Sequence, residues 1–171
     1  MQATADPQCC FSTVNDFIIK SAGAPLFNVE LLGLNPEVRL SGNRYSVFYD
    51  QVLINAATTD LIVISALFGD TKEAVKAYEA YIPCIKAQYE SGAEIASLCV
   101  GAFLLSATGL LNGKKCSTHW GFTNLFRELY PEVELQDGAI VTEENGIHPS
   151  GGANSYWNLL LRLVKNMRIG K

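Results

Sequence analysis

Short runs of branched apolar residues alternate along the chain with stretches whose apolar positions recur every three to four residues, the pattern of strands interleaved with helices. Phe11, Val14 and Ile18 set one helix face within residues 8–22, opened by Asp6-Pro7 and closed by Gly23. Alternation over 27–34 predicts a strand, with further short strands near 38–40 and 45–49. Residues 60–66, DLIVISA, have the composition of a strand buried on both faces of a parallel sheet. Asp70 and Glu73 make a capping box, and Ala74, Val75 and Tyr78 continue the helical face behind it. Pro83 fits the first turn of a second helical piece that runs to Glu90 and ends at Gly92. Residues 93–98, AEIASL, read as the next strand, followed directly by an apolar, small-residue helix over 100–108. Asn112-Gly113 marks a turn, 115–118 a short strand, and 122–129 a helix stopped by Pro131. Strand segments near 133–135 and 139–143 precede a last helix from Ala153 to Met167. Alternation of this kind implies a parallel sheet covered on both faces.

Composition narrows the class. The 171 residues suit one domain spanning 1–171 with a sizeable core. Hydrophobic residues at 49% and charged residues at 18% exclude a disordered chain, and no apolar run approaches the ~18 residues of a membrane span. Residues 1–8 lack the basic region and apolar stretch of a secretory signal, which points to a cytoplasmic protein. The five cysteines, Cys9, Cys10, Cys84, Cys99 and Cys116, are odd in number and contain no CxxC pair, so free thiols are expected. A net charge of −4 without a basic stripe interleaved with aromatics gives no electrostatic reason to hold nucleic acid. Two histidines without a nearby acidic partner make a poor metal set, and neither a metal nor a cofactor is expected.

The chemistry concentrates at Cys99. It ends a buried strand, a helix follows at once, and Gly101 comes two residues later, the pattern of a nucleophile elbow. Such a turn pushes the side chain outward, while Gly101 lets the helix pass close to neighbouring backbone. The helix dipole and the unpaired first-turn amides would favour thiolate, and those amides could serve as an oxyanion hole, making Cys99 the most reactive thiol. The alternative is a buried core cysteine. His119 stands at the end of the following strand, either as a proton-exchanging partner of Cys99 or as a packing residue beside Trp120. His148 falls in a loop before Pro149 and is the weaker candidate. Gly151-Gly152 precedes the last helix, where its amides could hold an anion or where it simply makes a tight turn under Tyr156, Leu160 and Val164.

The stretch SLCVGAFLLSATGLLNGKKCSTHW, residues 97–120, resembles the signature region of the ThiJ/PfpI branch of the class I glutamine amidotransferase-like superfamily. More narrowly, with PLFNVELLGL early and SGGANSYWNLLLRLV late, the chain resembles the N-terminal domain of AraC-family transcriptional regulators. The resemblance implies a flavodoxin-like three-layer α/β sandwich with a mainly parallel central sheet, usually homodimeric, with Cys99 at the elbow and His119 in its pocket. It implies DNA binding only through a separate helix-turn-helix domain that this chain does not contain, and a family first strand that would lie before Met1. Ala3 falls where the isocyanide-hydrating relatives carry a catalytic acid, and Asp6 fits a helix-capping role better than that one. The expectation is therefore a sensory domain that binds a small effector through Cys99, Val100, Gly101, His119, Gly151 and Gly152. A cysteine hydrolase or hydratase-like lyase, or a thiol redox sensor, are the alternatives.

Overall fold

Helix α1, Gln2–Ala22, begins at Gln2 and not at Gln8, so that Asp6 and Pro7 lie inside it. Asp6 therefore caps nothing. The helix gives up one backbone bond at Pro7, offset by burial of Ala3, Cys10 and Phe11 and by a hydrogen bond from the Tyr156 hydroxyl to the Asp6 carboxylate. This computed structural model describes residues 2–40, 44–152 and 154–169. The chain divides into two compact units, residues 11–58 and residues 1–10 with 59–171.

In the smaller unit, Asn15 decides the path of the chain after α1. Its Oδ1 accepts from Leu26 and Phe27 amides at 2.9 Å each, and its Nδ2 donates to the Phe27 carbonyl at 2.7 Å. Those groups are thereby withdrawn from any ladder, and the strand expected over 27–34 shrinks to β1, Leu32–Gly33. Strands β2, Glu37–Leu40, and β3, Tyr45–Phe48, form an antiparallel pair as the alternation predicted. The short strand β4, Gln51–Val52, pairs in parallel with β1.

The larger unit carries the site. Strand β5, Leu61–Ile64, leads to α2, Thr71–Ala77, whose N-cap Asp70 accepts from the Glu73 amide at 3.0 Å. Helix α3, Ile82–Glu90, takes Pro83 in its first turn and delivers the chain to β6, Glu94–Ser97. A single 3-10 turn, Cys99–Gly101, then opens α4, Ala102–Ala107. Strand β7, Lys115–Cys116, another 3-10 turn, Trp120–Phe122, and α5, Thr123–Leu129, precede β8, Glu134–Leu135, which pairs in parallel with β7. Strand β9, Ile147–Pro149, closes the three-stranded parallel sheet β5-β6-β9, and α6, Tyr156–Ile169, follows.

Ile95 and Ala96 point to opposite faces of β6 and are both fully buried, so this central strand is covered on both sides. Two sequence expectations change here. The strand placed at 139–143 reduces to a single bridge between Val141 and Ser150, and the ladder bonds go instead to 147–149, which had been read as a loop. The last helix starts at Tyr156; the expected first residue, Ala153, lies outside the described residues. Among the described residues no helix is long and apolar enough to cross a membrane.

Candidate functional site

The β6 ladder ends at Ser97, and Cys99 then takes φ +56°, a left-handed conformation that few residues other than glycine adopt. Three contacts over-determine that strained turn. The Cys99 amide donates to the Ser150 carbonyl at 3.1 Å, its carbonyl accepts from the Thr118 hydroxyl at 3.1 Å, and the Leu98 amide donates to Ile64 at 2.9 Å. Two residues on, a Cβ at Gly101 would stand 2.7 Å from the Ser65 carbonyl oxygen and 2.8 Å from that of Ile64. The 3-10 turn thus rests directly on the main chain at the end of β5, the close approach expected of Gly101.

The side chain departs from expectation. Cys99 is 8% exposed, and Val100 and Gly101 are buried with it. Burial pushes the Cys99 thiol up, while the Val100 amide, hydrogen-bonded to the sulfur, pulls the other way without prevailing. The helix-end amide is present as predicted, yet desolvation outweighs it, so the thiolate that the sequence suggested is disfavoured. Cys116 is fully buried and pushed up to about 12 by desolvation, and burial also raises Cys10 and Cys84. Cys9 is the exposed thiol.

His119 is half-buried and caps the 3-10 turn behind it: its Nδ1 accepts from the Gly121 amide at 3.1 Å. That bond assigns the neutral ring proton to Nε2, and the ring stacks on Trp120 with centroids 5.4 Å apart. The Gly151 amide is taken by the Ile140 carbonyl at 2.8 Å and is not free for an anion, and a Cβ on Gly151 would stand 3.0 Å from the Ala139 carbonyl oxygen. Gly152 is roomier; a Cβ there would meet the Ser155 hydroxyl at 3.8 Å and His119 at 4.0 Å.

Near these groups lies a cleft of about 140 Å³ lined by Thr118, Trp120, Ile140, Gly151, Gly152 and Ser155, with Thr123 of α5, Leu135 of β8 and the following Gln136, Gly138 and Ala139 completing it. Gly151 and Gly152 are among its walls; Cys99, Val100, Gly101 and His119 are not, and join it through Thr118 and Gly152. A larger depression, about 520 Å³, runs along the exposed charged side chains of α2, Asp70, Lys72, Glu73 and Lys76, well away from this chemistry. It is a solvated helix surface.

Two features escaped sequence reasoning. Asp6 and Tyr156 pair through the phenol hydroxyl, and Tyr156 is pushed up to about 12 by burial, by the bond and charge of Asp6, and by the charge of Cys99. Nothing in the spacing pairs residues so far apart. Ala3, which the resemblance puts where the hydrating relatives carry their acid, is buried and chemically silent. His148, expected in a loop without acidic neighbours, sits 2% exposed in β9 with Nε2 3.0 Å from Glu94 and Nδ1 3.7 Å from Glu143. Glu143 in turn holds Arg162 of α6 at 2.6 Å. Among the described residues no cluster of His, Cys, Asp or Glu is arranged to hold a metal ion.

The sequence pattern of the DJ-1/PfpI family matches residues 18–166. The chain belongs to the DJ-1/PfpI family. Its α/β arrangement, with mainly parallel strands, is the flavodoxin-like fold of its DJ-1/PfpI neighbours. The HTH-type transcriptional regulator GbdR of Pseudomonas aeruginosa is 22% identical over 143 residues, 84% of this chain and 38% of GbdR. The chain thus spans about two-fifths of the length of that relative. Among solved structures, one described as a transcriptional regulator protein from Vibrio parahaemolyticus superposes with a TM-score of 0.83 at 22% identity, covering 96% of this chain and 84% of that one. An AraC family transcriptional regulator from Pseudomonas putida superposes with a TM-score of 0.65 at 18% identity, covering 97% and 85%.

Proposed function

We propose that this DJ-1/PfpI chain is the effector-sensing and dimerising domain of an AraC-type transcriptional regulator of the cytoplasm. It binds a small metabolite in the cleft beside Cys99 and acts on DNA through a separate helix-turn-helix domain. The observation that carries the reading is the pairing of that cleft with a buried thiol, raised by its burial and so less ready for nucleophilic attack. Such a site binds more readily than it turns over. Support for the regulatory role comes from relatives that are transcriptional regulators, and from an acidic chain with no basic stripe of its own. Gly151 and Gly152 then line the site, while Cys99, Val100, Gly101 and His119 stand behind it and reach it through Thr118 and Gly152.

The test is a thermal-shift screen of the chain against a panel of small amides, amines, carboxylates and alcohols. Gly152→Phe serves as a plug, since a Cβ there meets only ordinary contacts. Compounds that raise the melting temperature of the wild type and not of the plugged variant, and that still do so with Cys99→Ser, support a binding site. No stabilising compound, or stabilisation unaffected by the plug, rejects it. Loss of every response with Cys99→Ser moves the function to thiol chemistry.

A further inference from the structure

The side-chain hydrogen-bonding groups around the cleft are unevenly spent, and their imbalance bears on the ligand. Thr118 donates its hydroxyl proton to the Cys99 carbonyl at 3.1 Å, Thr123 to Trp120 at 3.1 Å, and Ser155 to Gly152 at 2.7 Å. Each hydroxyl oxygen keeps its lone pairs while its one proton is committed to the main chain. Gln136 behaves alike, with Nε2 donating to the Glu134 carbonyl at 3.2 Å and Oε1 left to accept. The side-chain donors that remain are the second amide hydrogen of Gln136 and the indole N–H of Trp120, a ring that is 79% exposed. Leu135 and Ile140 supply an apolar wall.

Among the described residues lining the cleft there is no Asp, Glu, Lys, Arg or His, so a charged ligand would be desolvated without a counter-charge. The cleft is small, about 140 Å³, and favours a small occupant.

We infer that the cleft takes a small uncharged molecule that mainly donates hydrogen bonds, a short-chain primary amide being the form that uses all of its groups. The inference rests on the sensor reading above. The amide N–H groups meet the hydroxyl and Gln136 oxygens, the single carbonyl meets a remaining N–H donor, and the alkyl end lies on Leu135 and Ile140.

The probes are n-butyramide, n-butyrate and n-butylammonium, equal in chain length and different in charge. Binding is read from the emission of Trp120 in a Trp157→Phe background, which leaves one indole in the chain. Saturable change with butyramide, in the millimolar range expected of so small a molecule, and binding at least tenfold weaker for both ions, is the expected result. Ser155→Ala and Thr123→Val should each weaken butyramide by roughly three- to tenfold and narrow its advantage over the ions. Equal or tighter binding of either ion overturns the assignment and leaves the sensor reading standing. So does silence of all three when a compound of another class stabilises the wild type and is blocked by Gly152→Phe. Silence of every compound in both experiments rejects the two together.

Discussion

Replacing Gly101 by alanine sets two effects of opposite sign against each other. Gly101 has φ −60° and ψ −21°, a helical conformation open to any residue, so the backbone itself does not oppose the change. Helix propensity and the smaller entropy of the unfolded chain favour alanine by about 1 kcal/mol. Against this, the new methyl group would stand 2.7 Å from one main-chain oxygen of the β5 end and 2.8 Å from another, where ordinary contact begins at 3.4 Å. Neither atom can rotate away, and the Ile64 oxygen also accepts the Leu98 amide that anchors the Cys99 turn. Relief needs a backbone shift of more than half an ångström, and overpacking of this kind costs about 1–3 kcal/mol. With a ladder bond strained as well, the net loss should be about 2 kcal/mol, or a fall of roughly 4–8 °C in Tm for a chain of this length. Urea unfolding followed by far-UV circular dichroism, with a thermal scan beside it, measures both. A Gly101→Ala protein as stable as the wild type or more so would show that propensity wins and that the turn does not rest on β5.

The Cys99 thiol, raised by burial, should be alkylated by iodoacetamide with a midpoint above the ordinary ~8.5 and more slowly than Cys9. Peptide mass spectrometry with Cys99→Ser as control reads this, and a midpoint at or below ~8.5 contradicts it. Cys116, pushed up to about 12, stays neutral in the native state while the unfolded chain ionises. Its contribution to stability is therefore intact below ~8.5 and declines as pH rises toward 12, at up to about 1.4 kcal/mol per pH unit. Cys116→Ala should flatten the alkaline slope of urea-unfolding free energy by about that amount, and an unchanged slope would refute it. Asn15→Ala removes three hydrogen bonds at the turn after α1 and should cost about 2–3 kcal/mol. Hydrogen exchange should show lost protection at the Leu26 and Phe27 amides, and unchanged protection there would place their anchoring elsewhere.

Elements whose sequence pattern and burial agree were legible in advance. AEIASL is apolar on both faces because both faces of β6 are packed, whereas in β5 only Ile64 is buried and Leu61, Ile62 and Val63 are partly buried; Asp70 with Glu73 announces α2 through a bond between residues three apart. Elements set by distant partners were not. Residues 139–143 read as a strand and 147–149 as a loop, and the carbonyl of Ser97 with the amide of Ile95 selects the second segment for the sheet. His148 is polar, precedes a proline and reads as loop, yet the Glu94 carboxylate bonded to its Nε2 helps make its burial tolerable. Pro7 suggests a helix start, and burial of Ala3, Cys10 and Phe11 with the Asp6–Tyr156 bond, none of it visible in local sequence, offsets the cost of running the helix through it.

The same division holds at the site. The order strand, cysteine, helix and the glycine at 101 follow from the sequence, because a turn that tight admits few residue types and the chain's local chemistry names them. The state of the sulfur does not follow. Local sequence places Cys99 on a helix N-terminus, which favours the thiolate, and the tertiary structure surrounds it with packed chain, which favours the thiol. Desolvation depends on what arrives from residues 64, 118 and 150, far away in sequence, and it is the larger effect. The residue's position is written locally; its reactivity is decided by its neighbours in space.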